Sequence, residues 1–132
     1  MAGVVVTPPV SFDSSALILF LNDALPSEAV ELLDRCLHCG SALISAVVRA
    51  EVLAWPNHSE MSLGAAVALL DACQLVAVDA AVADEGARIR RETGLKLPDA
   101  IIAATAMLQG ATLVTANAKD FRRVTGLTII ET

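Results

Sequence analysis

Short apolar runs rich in β-branched residues alternate with helical stretches along almost the whole chain. The pattern predicts strands near residues 10–12, 42–44, 75–78, 112–114 and 127–130. It predicts helices near residues 15–22, 27–38, 46–55, 63–73, 80–93 and 98–109. Strands that are separated by helices form right-handed crossovers, which build a parallel sheet covered on both faces. We therefore expect an α/β fold with three layers, α/β/α, around a central parallel sheet.

A chain of 132 residues has room for one domain. We place that domain at residues 10–132 and treat residues 1–9 as an N-terminal extension. The opening MAGVVVTPPV lacks a basic start and its apolar run ends at two prolines, so it does not resemble a signal peptide. The longest uncharged stretch, residues 100–118, is broken by Gly110 and several polar residues, which argues against a membrane span. We expect a cytoplasmic protein.

The charge is unevenly distributed along the chain. Residues 1–87 carry two basic and eleven acidic residues, a net charge of −9, whereas residues 88–132 carry seven basic and four acidic residues, a net charge of +3. A formal net charge of −6 argues against a large phosphate-binding surface. The second half nevertheless has enough cations for a local basic patch, although solvated helix ends account for them equally well. These cations are Arg88, Arg90, Arg91, Lys96, Lys119, Arg122 and Arg123.

Three acidic residues stand where apolar residues are expected. Asp13 directly follows the first predicted strand, at the carboxyl edge of the sheet where ligands of open α/β folds bind. Glu51 has only apolar neighbours three and four positions away on its predicted helix, so its carboxylate requires a cation or a proton. Asp99 lies in the first turn of an apolar helix. Helix capping is the alternative role for Asp13 and Asp99.

A cluster of these acids implies a bound cation. Two carboxylates about 4 Å apart repel each other by roughly 4 kcal/mol at an effective dielectric constant of 20. Carboxylate ligands without a matching set of His or Cys favour Mg²⁺ or Mn²⁺. Such ions suit phosphodiester hydrolysis, because they turn water into a nucleophile and stabilise the leaving oxygen. The sequence leaves open whether one or two ions bind.

Four segments resemble, in order and spacing, the acidic motifs of PIN domains of the VapC type. They are SFDSSALILFLN, AVVRAEVLAW, KLPDAIIAATAML and LVTANAKDF. The resemblance covers nearly the whole chain from Val10 onward and implies a PIN-like fold. It also implies that Asp13, Glu51 and Asp99 are the catalytic, metal-binding acids.

The fourth motif departs from the family. Many relatives have an acid two residues after the position of Thr115, where this chain has Asn117. The nearest acid is Asp120, which is a candidate fourth ligand, an outer-shell acid or a helix cap, and Asn117 is a candidate for ordering a metal-bound water. By resemblance, Ser14 and Thr115 are the small hydroxyl residues that orient carboxylates or contact phosphate.

The resemblance implies that the protein is an endoribonuclease that cleaves RNA through metal-activated water, with Mg²⁺ or Mn²⁺ as the cofactor. It further implies the toxin of a toxin–antitoxin pair, a homodimer, and a cognate antitoxin whose tail blocks the acidic pocket. The alternative within the same family is a catalytically inactive or housekeeping PIN-domain protein that acts in RNA binding or processing. Metal-dependent ribonuclease activity separates the two.

A zinc site and a phosphoacceptor receiver domain are the weaker alternatives. Cys36 and Cys39 form a C-x-x-C pair, which Cys73 and His58 would have to complete as a zinc site. The pair closes a helix and has no second pair, so buried cysteines are the simpler interpretation. A receiver domain collects its acids at strand ends, whereas Glu51 and Asp99 are predicted within helices.

Overall fold

The computed structural model describes residues 8–132 and contains one five-stranded parallel sheet with helices on both faces. Its strands are β1 (Val10–Phe12), β2 (Ala42–Ser45), β3 (Gln74–Val76), β4 (Thr112–Thr115) and β5 (Ile129–Glu131). Its helices are α1 (Ser14–Leu21), α2 (Ser27–Cys39), α3 (Ala46–Leu53), α4 (Glu60–Ala72), α5 (Ala80–Thr93), α6 (Leu97–Leu108) and α7 (Ala118–Phe121). The predicted α/β class and its three layers are confirmed.

The strand order is β3-β2-β1-β4-β5, and every neighbouring pair is parallel. β1 is therefore the central strand, with Val10 opposite both Ala42 and Thr112. Every residue of β1 and β2 is buried, as expected for strands that are covered on both faces. Because the strands run the same way, the residues that follow β1, β2 and β4 come together at one edge of the sheet.

All five predicted strands and all six predicted helices are present, with some shifted ends. Helix α4 begins at Glu60 instead of residue 63, because Ser59 and Ser62 form a capping box one turn earlier. Helix α3 ends at Leu53, and strand β5 begins at Ile129. The short helix α7 was not predicted, since one helical turn has too few residues to show a periodic pattern.

The predicted extension at residues 1–9 lies outside the described residues except for Pro8 and Pro9. Within the part of the chain that the structure describes, no helix is long and apolar enough to cross a membrane.

Helices α5 and α6 pack closely through a glycine. Gly86 is buried in α5, and a Cβ atom placed there would lie 3.0 Å from Ile101 Cγ1 and 3.4 Å from Ile101 Cα on α6. A methyl group would thus press against the first turns of α6, which also carry Asp99. Gly64 on α4 provides a contrast, because a Cβ atom there would meet no atom within 4 Å.

Gly86→Val is expected to lower the free energy of unfolding by about 1–3 kcal/mol, the usual cost of overpacking a tight contact. Gly64→Val is the matched control and is expected to change stability little, because its side chain points into open space. Urea denaturation of both variants measures the difference. Equal stability of the two variants would contradict the close approach of α5 and α6.

Candidate active site

Asp13 lies at the junction of β1 and α1 and is only 4% exposed. Its backbone N–H donates to the carbonyl of Val114 at 2.9 Å, which continues the pairing of β1 with β4. Its side chain caps α1 by accepting a hydrogen bond from the backbone N–H of Ser14 at 2.8 Å. Asp13 therefore does cap a helix, as the alternative interpretation predicted. The same hydrogen bond fixes its carboxylate at the edge of the sheet.

Two hydroxyl groups hold the other oxygen of the Asp13 carboxylate. Ser15 Oγ donates to Asp13 Oδ2 at 2.9 Å, and Thr115 Oγ1 donates to the same oxygen at 2.7 Å. Ser15 Oγ also accepts a hydrogen bond from the backbone N–H of Ala116 at 3.1 Å. The side chain of Ser15 thus ties the start of α1 to the segment that follows β4.

Ser15 is a site residue that the sequence pattern did not identify, whereas Ser14 and Thr115 were identified. The available signal was its place two residues after Asp13, where a hydroxyl can bond back to the capping carboxylate. The second partner of Ser15, the N–H of Ala116, is about a hundred residues away along the chain. That contact depends on the pairing of β1 with β4 and has no local signature.

Glu51 lies on α3, and its carboxylate is close to Ser14 and the other acids. Ser14 Oγ lies 3.0 Å from Glu51 Oε1 and 3.4 Å from Asp13 Oδ1. A hydroxyl has one proton, so the shorter contact identifies Glu51 as its acceptor. Burial raises the pKa of the Glu51 carboxyl, and the charges of Asp13 and Asp99 raise it further against the opposing effect of the Ser14 hydrogen bond.

Asp99 lies in the first turn of α6, directly after Pro98. Burial raises the pKa of its carboxyl, and the charges of Asp13 and Asp120 add to that effect. Two cations, Lys96 and Arg123, act in the opposite direction. The first turn of α6 thus places Asp99 close enough for the charge of Asp13 to act on it. Because the charge of Asp13 also acts on Glu51, the three acids form one group.

The segment after β4 contributes Asn117 and Asp120. The backbone N–H of Asn117 donates to Thr115 Oγ1 at 2.9 Å, and its side-chain amide donates to Asp120 Oδ2 at 2.9 Å. Asp120 lies on α7 and its charge acts on Asp99. The two candidates for the fourth position therefore contact each other.

The four acids form an electrostatic cluster without forming a closed cage. Among residues 8–132, no three His, Cys, Asp or Glu side chains already converge as a set of metal ligands. Mg²⁺ fits such an arrangement, because it keeps several waters and binds through one or two carboxylates. The donor chemistry, oxygen ligands alone, also matches Mg²⁺ or Mn²⁺.

The residues of the zinc alternative are separate from this cluster. Cys36 and Cys73 are buried free thiols and Cys39 is an exposed one. His58 instead links α3 to α4: its Nε2 donates to the carbonyl of Val52 at 2.8 Å, and its Nδ1 lies 2.9 Å from Ser62 Oγ. These contacts give His58 a structural role at the end of α3.

Comparisons with known proteins agree with the fold. The family model described as PIN domain matches residues 10–127. No curated protein matches the chain. A similar solved structure, a toxin–antitoxin complex from Klebsiella pneumoniae, has 28% identity and a TM-score of 0.75 over 92% of this chain and 95% of that one.

Two further structures are similar in fold. The DNA-bound VapBC complex from Salmonella typhimurium has 20% identity and a TM-score of 0.81, over 95% of this chain and 98% of that one. VapBC2 from Rickettsia felis, bound to a DNA fragment from its promoter, has 21% identity and a TM-score of 0.79, over 93% of this chain and 98% of that one.

Glu51→Gln is expected to raise the melting temperature of the metal-free protein. Because the pKa values of Glu51 and Asp99 are raised, the native state binds these protons more tightly than the unfolded chain does. Their contribution to stability is therefore present below the unfolded pKa, about 4, and is lost as the pH rises through the native pKa. Gln removes one charge from the cluster and keeps an acceptor for Ser14.

Thermal unfolding in EDTA between about pH 4 and pH 8 measures the melting temperatures of both proteins. The amount by which Glu51→Gln exceeds the wild-type protein in melting temperature is expected to grow with pH. Glu31→Gln, at an exposed position on α2, is the control for the loss of one negative charge elsewhere. If Glu51→Gln is less stable than the wild-type protein at neutral pH while Glu31→Gln is unchanged, the inferred repulsion between Glu51 and the neighbouring acids is wrong.

Proposed function

Because the chain belongs to the PIN domain family, we propose that it is a metal-dependent endoribonuclease and the toxin of a toxin–antitoxin pair. The observation that carries this proposal is the gathering of acids at the carboxyl edge of the sheet: the Ser14 hydroxyl lies between the carboxylates of Asp13 and Glu51, and the charge of Asp13 acts on both Glu51 and Asp99. Buried acids of like charge are unfavourable unless a cation or protons neutralise them. A divalent cation relieves that repulsion and prepares the site for phosphodiester chemistry.

Asp13 is the best-prepared metal ligand. A carboxylate has about four lone-pair positions. Three of those on Asp13 are used by the Ser14 N–H and the hydroxyls of Ser15 and Thr115, while the Ser14 hydroxyl is directed to Glu51. One position on Asp13 Oδ1 is left for a cation. The three donors also fix the plane of the carboxylate, so the ligand does not have to be ordered when the ion binds.

When bound, Mg²⁺ or Mn²⁺ would supply an activated water as the nucleophile and charge stabilisation for the leaving oxygen. The chain's own residues set the conditions for this chemistry. Asp99 and Glu51 provide negative charge from α6 and α3 near the anchored Asp13. Ser14 keeps the Glu51 carboxylate turned toward Asp13.

Asp120 and Asn117 act together at the fourth position of the family pattern. The amide of Asn117 donates to Asp120 Oδ2, which holds the Asp120 side chain beside the site and leaves the oxygen of the Asn117 amide free to accept a hydrogen bond from water. The charge of Asp120 acts on Asp99. We assign Asp120 the role of an outer carboxylate that Asn117 positions.

Purified protein is expected to cleave single-stranded RNA in Mg²⁺ or Mn²⁺ and to stop in EDTA. Asp99→Asn removes a charged ligand while keeping its shape, so cleavage is expected to fall by at least about two orders of magnitude without unfolding. Asp84→Asn, at an exposed position on α5, is the control for an Asp-to-Asn change outside the site. Gel assays of a labelled RNA measure the rates.

Asp120→Asn is expected to lose less activity than Asp99→Asn in the same assay, because an outer carboxylate acts through charge and positioning. Full activity of Asp99→Asn would overturn the assignment of the metal site. Absence of cleavage by the wild-type protein in either metal would favour the alternative, an inactive PIN-domain protein that binds RNA.

The toxin role is proposed from the relatives and from the apolar surface. The Klebsiella structure is a toxin–antitoxin complex, and its partner suggests that this chain also binds an antitoxin in the cytoplasm. Leu63 and Val67 are exposed and lie one turn apart on α4, and Met61 on the same helix is 86% exposed. Apolar residues left in solvent on one helix suit a protein partner, either a second copy in the proposed homodimer or an antitoxin helix.

Growth inhibition on expression is expected to be relieved by an antitoxin that presents a basic residue to the acidic pocket. A guanidinium can satisfy two carboxylates at once, so it relieves the repulsion in place of the metal. Co-expression with the adjacent small gene, with that Arg or Lys intact or changed to Ala, tests this through growth and residual ribonuclease activity. A protein that cleaves RNA but is harmless at high expression would instead be a housekeeping nuclease.

A further inference from the structure

Two cations border the acidic site on one side. Lys96 is the residue before α6 and lies three positions before Asp99. Arg123 follows α7, where its guanidinium lies 3.6 Å from Asp120 Oδ1. Both residues are exposed, and both act electrostatically on Asp99. The acidic group thus meets positive charge from the residue before α6 and from the residue that follows α7.

Arg123 is held in place by the backbone of two segments. Its Nη1 donates to the carbonyl of Thr93 at 3.2 Å, and its Nε donates to the carbonyl of Asp120 at 3.4 Å. These two bonds use two of the five N–H groups of the guanidinium and leave three for another acceptor. The contact with Asp120 is an exposed ion pair, and such pairs contribute little and exchange readily.

The loop before Lys96 is also well supported. Gly94 ends α5 in the left-handed conformation, with φ of 75°. Arg90 Nη1 donates to the carbonyl of Leu95 at 2.7 Å and lies 3.3 Å from the carbonyl of Gly94. The side chain of Leu95 is buried. Lys96 therefore extends from a fixed backbone, and its side chain makes no capping bond to α6.

Several other cations of the chain are already paired with acids. Arg49 pairs with Asp71, and Arg122 pairs with Glu131. Arg88 lies between Glu85 and Glu92 on its own helix. The first 87 residues carry a net charge of −9, so the parts of the molecule that they build disfavour a polyanion. The Lys96 and Arg123 side offers it a favourable approach to the acids.

We propose that Lys96 and Arg123 form a phosphate-binding rim that holds the RNA strand on one side of the cleaved bond. This inference rests on the proposed function and specifies how the substrate reaches the site. An ammonium on a long side chain and a guanidinium with free N–H groups both bind phosphate oxygens without reading the base. The rim supplies affinity and positions the strand, while the acidic group performs the chemistry.

The test compares Lys96→Ala and Arg123→Ala with Arg122→Ala, which removes the same charge from the neighbouring position. The Asp99→Asn background prevents cleavage, so the binding of a fluorescein-labelled single-stranded RNA can be followed by anisotropy at several salt concentrations without metal. A plot of the logarithm of the RNA association constant against the logarithm of the salt concentration has a negative slope. For each rim residue that is removed, the magnitude of this slope is expected to decrease by about 0.7. Arg122→Ala is expected to change the slope less, because Arg122 is hydrogen-bonded directly to Glu131, whereas the Arg123–Asp120 contact, at 3.6 Å, is beyond hydrogen-bond distance.

Cleavage assays in the otherwise wild-type protein provide a second measurement. Each rim variant is expected to raise KM several-fold with a smaller change in kcat, and Arg123→Lys, which retains the charge, is expected to recover part of the loss. The Lys96 side chain makes no capping bond to α6 and no hydrogen bond to any other residue in the range 8–132, so the result of Lys96→Ala does not depend on any loosening of α7 by Arg123→Ala.

Unchanged salt slopes and KM values in both rim variants would overturn the proposal, as would an equal effect of Arg122→Ala. A failure of the proposed function gives a different result. In that case the wild-type protein does not cleave RNA in Mg²⁺ or Mn²⁺, while the anisotropy measurements still show whether Lys96 and Arg123 bind its phosphates.

Discussion

The buried carboxylate of Asp13 is satisfied by donors from the start of α1 and from the end of β4, and the geometry of the site depends on this arrangement. A buried charge is costly unless it is hydrogen-bonded. Here the N–H of Ser14 and the hydroxyls of Ser15 and Thr115 provide those bonds. Thr115 ends β4 and Ser15 begins α1, so the same bonds that solvate the charge also join the two segments around it. The Glu51 side chain is linked to this group through Ser14.

Placing four acids at one edge of the sheet costs stability in the absence of a cation. The raised pKa values of Glu51 and Asp99 express that cost, since burial and neighbouring charge both disfavour their ionised forms. The hydrophobic core offsets it, with the strands β1, β2 and β4 almost entirely buried. Functional sites commonly keep an arrangement of charged groups that lowers the stability of the fold but is needed for activity. The proposed metal ion, or the basic side chain of the proposed partner, would relieve the same repulsion.

The sequence predicted the parallel sheet because short apolar runs and helical stretches alternate without interruption. It predicted Glu51 because an acid on an apolar helical stripe has no local explanation, and it predicted the family from four motifs in order, which the PIN domain match confirms. It did not predict Ser15 as a partner of Ala116, because that contact arises only when β1 and β4 pair. The early start of α4 was missed because Ser62, instead of Glu or Gln, closes its capping box. The metal-binding roles themselves stay predictions.

The close packing of α5 against α6 has a consequence for how this sequence can vary. Ile101, which meets Gly86, is only two positions from Asp99, so the backbone that carries this acid packs directly on α5. A side chain introduced at Gly86 would press on Ile101, and a large one would have to be accommodated by a shift of the first turns of α6, which carry Asp99. The choice of residue at this position is thus restrained by the placement of Asp99 as well as by folding, although Gly86 itself contacts neither metal nor RNA in the proposed site. Random mutagenesis scored for the proposed activity is therefore expected to recover few large residues at Gly86.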